Sequence, residues 1–514
     1  MTESFPQIIK ESFNNFISNN NITYPNLTHT SLSQWHFESD INTKFNLPQN
    51  ALSFIQTLPS LGDFLKTKTP SLIKAHLTSI NTIENQFYIS AYHNKTLSQY
   101  EPSSYFSPEP ATIPSSPSSS PDVILSDRLL IEVIPTIGLN CKLSEALNGT
   151  IDNTNLPPIY LYDYSNTHSK INQNLFVIGT AYSDNDHIYI HAWTFIPNII
   201  PLIIESKYLS MNITPQCLLP KMKNIIKNIF YNDNIVSEYI YLYLFSQIFI
   251  RVGTKNIGSL PLNIIFPDNT NVNNNILCRY RTFMNKVALF IKEIEITIDK
   301  MNIEKFYSIF NVENDVLEKG TLQLCDKIYL LLNEFNLKEG KLLDIGCKNF
   351  NTVKQVIEFQ SMKYEYPYNS IEIQHDMEVL IFTQNKKSLF ASPFLCVVPL
   401  DIGDAMEEDG EGKDNEIEID DVFYYVNYIR LNKELCEKFI ISKELGGKIN
   451  KDYMSRIEGK FNVDKFDLVL RLARLYAVSQ GRNELMFEDY EYVFELEKER
   501  MKRLEAFEKG KGHK

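Results

Sequence analysis

The chain has 514 residues, 43% of them hydrophobic and 12% aromatic, which is enough for roughly two to four domains with apolar cores and excludes a chain disordered as a whole. Its formal net charge of -13 argues against a broad nucleic-acid-binding surface. The seven cysteines include no Cys-x-x-Cys pair, so the sequence indicates neither a zinc site nor a disulfide framework and favours a reducing, intracellular compartment.

The first residues, MTESFPQIIKESF, contain acids and an amphipathic pattern in place of the basic and apolar regions of a signal peptide. The longest strongly apolar run, residues 239–250, is too short to span a bilayer and contains Ser246 and Gln247. We therefore predict a buried helix over this run and no membrane association.

Residues 1–101 have the pattern of an α+β domain, beginning with an amphipathic helix. Two strand-like runs, LIKAHLTSI and QFYISAY, follow, with a predicted turn at residues 81–85. Phe87, Tyr88 and Tyr92 would suit a nucleic-acid platform, but no basic residues lie between them. We interpret them as core residues.

Residues 102–121, PSSYFSPEPATIPSSPSSSP, contain too few apolar side chains to offset the entropy cost of ordering, which predicts a disordered Ser/Pro linker between two folded parts. Its Ser-Pro dipeptides at Ser107, Ser116 and Ser120 are either proline-directed phosphorylation sites or a consequence of composition alone.

Residues 122–204 carry short strand-like runs separated by Asn, Asp, Ser and Pro, which predicts a β-rich domain, either a small antiparallel sheet or an OB-like barrel. His187 and His191 alternate on one strand face. A metal site would need at least one further ligand, so we interpret them as ordinary residues of a half-exposed strand.

Residues 205–400 alternate helices and strands, which predicts a mostly parallel α/β sheet with helices on both faces. The predicted elements are helices near 220–252, a strand at 262–266, a helix at 278–292, a strand EIEITI, a helix at 322–335, a strand at 342–345, a helix at 351–360 and strands at 378–383 and 395–400.

Residues 401–421 contain eleven acidic residues against one lysine, a local charge of -10, and are predicted to be an acidic disordered loop. The loop is either only solvated, or it keeps the protein away from DNA or engages basic protein surfaces.

Residues 422–514 have apolar residues at helical spacing and predict a helical lid on the sheet domain. We interpret Arg471, Arg474 and Tyr476 of the lid as core and salt-bridge positions.

The stretch from Leu342 to Cys347, LLDIGC, would serve a methyltransferase if it were the end of a buried strand. In that fold, glycines after the first strand let the backbone approach the cofactor closely. Lys348, Asn349 and Phe350 occupy the corresponding turn, where side chains would crowd the cofactor.

An AAA+ nucleotide hydrolase would instead need a Gly-rich phosphate loop after its first strand. Here LPLNIIF runs into residues 267–271, Pro-Asp-Asn-Thr-Asn, which contain no glycine and no lysine. Asp344 would stand at the magnesium-binding position, but Ile345 and Gly346 replace the catalytic glutamate. The sequence therefore predicts an AAA-like scaffold without its ATPase chemistry.

Several blocks in this order resemble the MCM-binding protein family, an AAA-like relative of the minichromosome maintenance (MCM) helicase subunits that lacks their ATPase site. The blocks are SEYIYLYLFSQIFIR, SLPLNIIF, LLDIGCKNFNTVKQVIEFQSMKYEYPY, MEVLIFTQNKKSLF and VDKFDLVLRLARLYAVSQGRNELMFEDYEYVFELEKERMKRL. The N-terminal QIIKESFNNFI and the segment from LPSLGDFLKTKTP to QFYISAY are also similar to that family, with a spacer in the expected place.

The resemblance implies a nuclear, non-enzymatic adaptor or chaperone that binds MCM subunits and supports their assembly, stability or unloading in DNA replication and sister-chromatid cohesion. It implies no cofactor, no sequence-specific contact with nucleic acid, and no catalytic, cofactor-binding or metal-binding residue. The alternative is an enzyme, either a Rossmann-type methyltransferase or an AAA+ NTPase, that uses the stretch from Leu342 to Cys347.

Overall fold

The computed structural model describes residues 58–68, 71–94, 99–102, 123–141, 143, 156–161, 171–184, 187–195, 199–211, 213–253, 255–313, 316–402, 416–456 and 463–511. The chain divides into two compact units, Met1–Leu202 and Ile203–Lys514. Within the described ranges, no helix combines the length and the apolar content that a bilayer span requires.

The chain is mixed α/β, with helices and several sheets. The described helices are α1 (Leu61–Thr67), α2 (Ile199–Ser210), α3 (Pro215–Ile229), α4 (Asn234–Tyr243), α5 (Thr270–Val287), α6 (Ile298–Ile303), α7 (Asp344–Phe359), α8 (Glu416–Leu431), α9 (Lys433–Glu437), α10 (Lys443–Arg456), α11 (Val463–Ser479) and α12 (Phe487–Lys511). The described strands are β1 (Ser71–Asn94), β2 (Gln99–Pro102), β3 (Val123–Pro135), β4 (Ile159–Leu161), β5 (Asn174–Asp184), β6 (His187–Phe195), β7 (Ile250–Val252), β8 (Lys255–Ile257), β9 (Leu262–Phe266), β10 (Ile291–Glu295), β11 (Ser308–Asn311), β12 (Val316–Glu318), β13 (Ile328–Asn333), β14 (Ser361–Glu365), β15 (Ser370–Gln374), β16 (Met377–Gln384) and β17 (Cys396–Pro399).

In the first unit, the long strand β1 is shared by two neighbours. Its beginning pairs antiparallel with β5, and the rest pairs antiparallel with β3. Strand β3 continues to β4, β4 pairs in parallel with β6, and β6 returns to β5. Five strands therefore close a ring in the order β1-β3-β4-β6-β5, with β2 as a further partner of β1. Apolar residues from all five strands form one core cluster with α1.

The predicted turn at residues 81–85 is wrong, because β1 runs through it without interruption. The pairing register with β3 shifts between Ser79 and Asn81 and again between Ile83 and Asn85. Each shift places an extra residue on β1, and such bulges bend a strand without ending it. The polar residues that indicated a turn instead mark this bending. Strands on both sides of residues 103–122 share the one sheet.

The centre of the second unit is a five-stranded sheet in the order β10-β13-β16-β9-β17, in which every neighbouring pair is parallel. All residues of β9 and β13, and all but the last of β16, are buried, as expected for strands covered on both faces. The predicted strands at 262–266, 378–383 and 395–400 are confirmed. The predicted parallel α/β sheet is thereby confirmed.

Smaller sheets surround the parallel one. Strands β12, β11, β14 and β15 form a four-stranded sheet, and β7 pairs with β8 in a two-stranded one. The buried helix predicted at residues 239–250 is α4, which ends at Tyr243, whereas residues 250–252 belong to β7. The aromatic ring of Phe382 lies 4.8 Å from that of Phe266 and 5.2 Å from that of Tyr280, in the core between β16, β9 and α5.

Three predictions for the second unit are wrong. The predicted helix at 322–335 is the central strand β13, since a continuous apolar run also suits a strand buried on both faces. The predicted strand at 342–345 does not exist, because α7 begins at Asp344. Residues 416–421, assigned to the acidic loop, form the first turns of α8, and residues 403–415 lie outside the described residues.

Helix α12 covers the outer edge of β17 with two arginines. The Nη1 atom of Arg500 donates a hydrogen bond to the carbonyl oxygen of Val397 at 2.6 Å, and Nη1 of Arg503 donates to that of Pro399 at 3.3 Å. These carbonyls lie on an edge strand, whose outer groups would otherwise be open to pairing with another chain.

Asp233 connects this edge to helix α4. Its Oδ1 atom accepts from the backbone N–H groups of Ile235 and Val236, at 2.9 and 3.2 Å, and so caps the helix. Its Oδ2 atom accepts from the N–H of Asp401 at 2.9 Å and from Arg503 Nη1 at 2.6 Å. The Asp233 side chain is fully buried, so one carboxylate fixes α4, the end of β17 and α12 together.

Candidate functional site

The carboxyl edge of the five-stranded sheet is the place where open α/β folds bind ligands, at the point where the strand order reverses. Strand β9 lies inside the sheet, and the chain leaves it to reach the far edge at β10. Next to β9, the loops that follow β16 and β17 complete this edge.

The turn after β9 satisfies its own backbone groups. Asn269 accepts a hydrogen bond from the N–H of Val272 at 3.3 Å and caps α5. Asn273 donates to the carbonyl of Pro267 at 2.8 Å, and Asp268 accepts from Gln384 at 2.7 Å. A phosphate at a helix N-terminus needs free N–H groups and no competing negative charge. Here a side chain already uses one donor, and a carboxylate lies beside the turn.

Glu334 is the acidic residue at the end of β13. Its side chain accepts from the hydroxyl of Ser388 at 2.6 Å and from the N–H of Leu389 at 3.0 Å, and the residue is 1% exposed. Burial raises the pKa of this carboxyl, while the hydrogen bonds from Ser388 and Leu389 oppose the rise. The carboxyl holds the loop after β16 in place, so its oxygens are engaged by the protein.

A polar network joins this carboxyl to the neighbouring strands. Asn263, on β9, donates to the carbonyl of Ile381 and to the hydroxyl of Thr383, both at 3.1 Å. The Oδ1 atom of Asn263 accepts from the N–H of Ser388 at 3.3 Å. Asn263, Thr383 and Ser388 are all buried. The polar groups at the carboxyl edge are thus bonded to one another, an arrangement suited to holding three strands in register.

Asp344 does not end a strand, which corrects the prediction that placed it at a magnesium-binding strand end. It is the exposed first residue of α7, after an irregular segment held by Asn302. Asn302 accepts from the N–H of Leu343 at 2.8 Å and donates to the carbonyl of Lys341 at 3.0 Å. A Cβ atom at Gly346 would overlap the Asn302 side chain, so this glycine serves packing against Asn302.

The signal for the true strand end was present in the run Ile-Tyr-Leu-Leu-Leu-Asn-Glu, residues 328–334. This run ends in a carboxylate after five apolar residues, which is the pattern sought around Asp344. Sequence reasoning missed Glu334 because it assigned the run to a helix. An acidic residue at a strand end was therefore looked for at residues 344–346, ten to twelve residues after Glu334.

Two groups of candidate residues belong to the first unit. His187 and His191 are on β6, and the ring of His191 is buried and stacks on that of Tyr160 at 4.9 Å. No cluster of three or more His, Cys, Asp or Glu residues able to hold a metal ion occurs in the described part of the chain. Phe87, Tyr88 and Tyr92 are on β1.

The lid residues make internal contacts. Arg471 forms an ion pair with Asp467 at 2.7 Å, and the guanidinium of Arg474 lies 4.4 Å from the ring of Phe249. The ring of Tyr476 stacks on a neighbouring tyrosine of α12 at 4.6 Å. These positions agree with the interpretation as core and salt-bridge residues.

The chain is similar to known proteins over this second unit. A family model described as "Mini-chromosome maintenance replisome factor" matches residues 192–504, more than half of the chain. The mini-chromosome maintenance complex-binding protein of Arabidopsis thaliana is 27% identical over 282 residues, which cover 53% of this chain and 45% of that protein. Those of Drosophila melanogaster and Homo sapiens are 22% and 24% identical over 293 and 277 residues, covering 56% and 53% of this chain and 47% and 42% of theirs.

The chain thus spans about half the length of the curated relatives it matches. The family model covers the parallel sheet together with the helices that follow it. The resemblance found in the sequence is confirmed, and the chain belongs to the mini-chromosome maintenance replisome factor family, whose curated members are named MCM complex-binding proteins.

Proposed function

We propose that this protein binds MCM helicase subunits as a non-enzymatic adaptor or chaperone. In this role it supports the assembly, stability or unloading of MCM complexes during DNA replication and sister-chromatid cohesion, in the nucleus. The observation that carries the proposal is the carboxyl edge of the sheet, where Glu334, Ser388 and Asn263 are bonded to one another. The names of the relatives, MCM complex-binding proteins, supply the partner.

The proposal includes an AAA-like scaffold. Numbered along the chain, the five parallel strands lie in the order 2-3-4-1-5, so the first strand is internal and a switch point forms at the carboxyl edge. Helices α8 to α12 follow the last strand and supply a lid. A module of this shape would occupy the face that a neighbouring MCM subunit uses, which gives binding without nucleotide chemistry.

The ring of five strands in the first unit is proposed to be OB-like. Such barrels have five strands in a Greek-key path, and this ring has five strands with one parallel pair, β4 with β6. Its role in the proposal is protein binding, since the sequence places no basic residues between Phe87, Tyr88 and Tyr92.

An enzymatic alternative loses its structural basis, since no strand ends between residues 342 and 347. For an NTPase, the available acid would be Glu334, at the end of the central strand β13, but its side chain is held by Ser388 and Leu389. ATP turnover that disappears in Glu334→Gln would restore the alternative, whereas the adaptor should show no turnover in either form.

A pulldown tests the proposed function. The full-length chain, immobilised and incubated with nuclear extract, should enrich MCM subunits over a variant whose residues 422–514 are scrambled. Mass spectrometry would identify the captured proteins. Equal recovery of MCM subunits by the two baits, or none by the intact chain, would refute the proposal.

A further inference from the structure

A groove in the second unit lies between the lid and the sheet. It is bounded by the β7–β8 hairpin, the end of α7, the segment before β17, and helices α11 and α12. Its volume is about 960 Å³. It contacts the first half of β17, at Cys396 and Val397, and Leu395 just before it.

The rim of the groove carries large apolar side chains that remain exposed. Val252 is 57% exposed, Phe394 45%, Phe359 44% and Ile441 43%. Scattered single apolar residues are normal on a protein surface, whereas several around one concave site mark a place where another apolar surface binds. Four such side chains converge here from four different segments of the chain.

Three residues that line the groove have buried donor atoms without an acceptor among the described residues. They are Asn256 at Nδ2, Gln360 at Nε2 and Ser259 at Oγ. Gln360 is 1% exposed, and its Oε1 atom accepts from the N–H of Met377 at 2.8 Å, which fixes the direction of the amide nitrogen. A buried donor without an acceptor is costly and calls for an explanation.

The donors of Asn256 and Gln360 belong to one cationic corner. Arg251 donates to the Oδ1 atom of Asn256 at 2.7 Å and to the carbonyl of Gln360 at 3.3 Å, so both residues surround the same guanidinium. These donor atoms are buried behind the groove surface, so a ligand in the groove does not reach them, and its contacts are with the exposed side chains of the rim.

The charges that line the groove have the opposite sign to the chain as a whole. Six cationic side chains line it, against four carboxylates, a local excess of two positive charges in a chain of formal charge -13. Two of the carboxylates, Asp467 and Glu497, form ion pairs with lid arginines of the same groove. Lys255, exposed at the hairpin, is available to a negatively charged partner.

We propose that this groove docks a short peptide segment of an MCM subunit in which a carboxylate lies among bulky apolar side chains. The apolar side chains pack on Val252, Phe359 and Phe394, and the carboxylate is attracted by the exposed Lys255 at the hairpin. This inference rests on the proposed function and assigns its contact surface.

The test compares binding of full-length variants to purified MCM subunits by biolayer interferometry. Phe394→Asp and Val252→Asp place a negative charge where an apolar, acidic segment would bind, and each should weaken binding at least about tenfold. Lys255→Glu should weaken binding by about fivefold, and the loss should shrink at high salt. The matched control is Tyr368→Asp, at a fully exposed aromatic residue that does not line the groove, which should leave binding within about twofold.

The outcomes separate this inference from the proposed function. If the wild-type chain binds and both groove variants bind as tightly, the groove assignment is wrong and the adaptor function stands. If the wild-type chain binds no MCM subunit, both fail. Two other results would also overturn the inference. The chain could bind a peptide of residues 401–421 more tightly than it binds MCM subunits, or it could self-associate, with Phe394→Asp abolishing that binding in either case. The occupant of the groove would then be this chain itself. Circular dichroism establishes that each variant is folded.

Discussion

Asp233→Ala should destabilise the second unit by about 3 kcal/mol. Loss of the helix cap on α4 costs about 1 kcal/mol, because the N–H groups of Ile235 and Val236 lose their acceptor. Removing the fully buried carboxylate also leaves Arg503, whose side chain is 23% exposed, without its partner. A fully buried unpaired charge costs about 3–5 kcal/mol, and the partial exposure of Arg503 reduces this to about 2 kcal/mol.

The two units can be followed separately in one urea titration. Both tryptophans, Trp35 and Trp193, lie in the first unit, whereas helices α3 to α12 lie in the second. Circular dichroism at 222 nm should therefore show the stability lost in Asp233→Ala. The unfolding midpoint should fall by about 1 M urea if the free energy of unfolding decreases by about 3 kcal/mol per M urea. Tryptophan fluorescence should keep its midpoint.

Asp233→Asn is the matched control for this prediction. Asparagine is also a good helix cap, so the variant keeps the bonds to α4 while it loses the charge that pairs with Arg503. Its loss of stability should lie between those of the wild type and Asp233→Ala. An unchanged dichroism midpoint in Asp233→Ala, or an equal shift of the fluorescence midpoint, would refute the reasoning.

Three further predictions concern other buried groups. Gly179→Ala should destabilise the first unit by about 1–3 kcal/mol and lower the fluorescence midpoint alone, because the added Cβ would overlap the backbone of His191; an unchanged fluorescence midpoint would contradict this. Asn349→Ala should destabilise the second unit by about 3 kcal/mol and lower the dichroism midpoint, since Asn349 bonds the N–H of Phe306 and two carbonyls while fully buried; a loss of stability under about 0.5 kcal/mol would argue against it. Burial, and then the charge of Arg251, lower the pKa of His375 to about 3. Below about pH 6.5 the unfolded chain therefore binds a proton that the folded chain does not bind. The free energy of unfolding should thus decrease as the pH is lowered. Between pH 7 and 5 the wild type should lose about 2 kcal/mol more than His375→Gln in urea titrations, and equal losses would exclude this account.

The parallel sheet could be predicted in part from the sequence. Residues 262–266 and 378–383 are short apolar runs between polar turns, and both are strands as predicted. Residues 328–333 also contain a short apolar run, but they were assigned to a predicted helix at residues 322–335. Periodicity does not separate a strand buried on both faces from a buried helix, and only the position of the neighbouring strands decides.

The candidate site was harder to predict, because its hydrogen bonds join segments that lie far apart in the sequence. Glu334 and Ser388 are 54 residues apart, and Asn263 is 125 residues from Ser388. Nothing in the local sequence indicates that these three residues bond to one another. The absence of a phosphate loop after Phe266 was visible in the sequence. The hydrogen bonds that Ser388 and Leu389 make to the Glu334 carboxylate were not.

The groove was also invisible to pattern reading. Its lining combines a hairpin, two lid helices and the segment before β17, and residues from 252 to 504 contribute. Arg471 and Arg474 make the internal contacts that the sequence predicts, yet the same residues form one wall of the groove. A side chain can both stabilise a lid and line a surface, and sequence spacing reports only the first role.

Binding of the purified full-length chain to individual purified MCM subunits tests the central claim most directly. Isothermal titration calorimetry without nucleotide should give a dissociation constant below about 1 μM for at least one subunit. Heat-denatured chain should give no binding. The absence of measurable binding to every MCM subunit and to their assembled complexes would contradict the account.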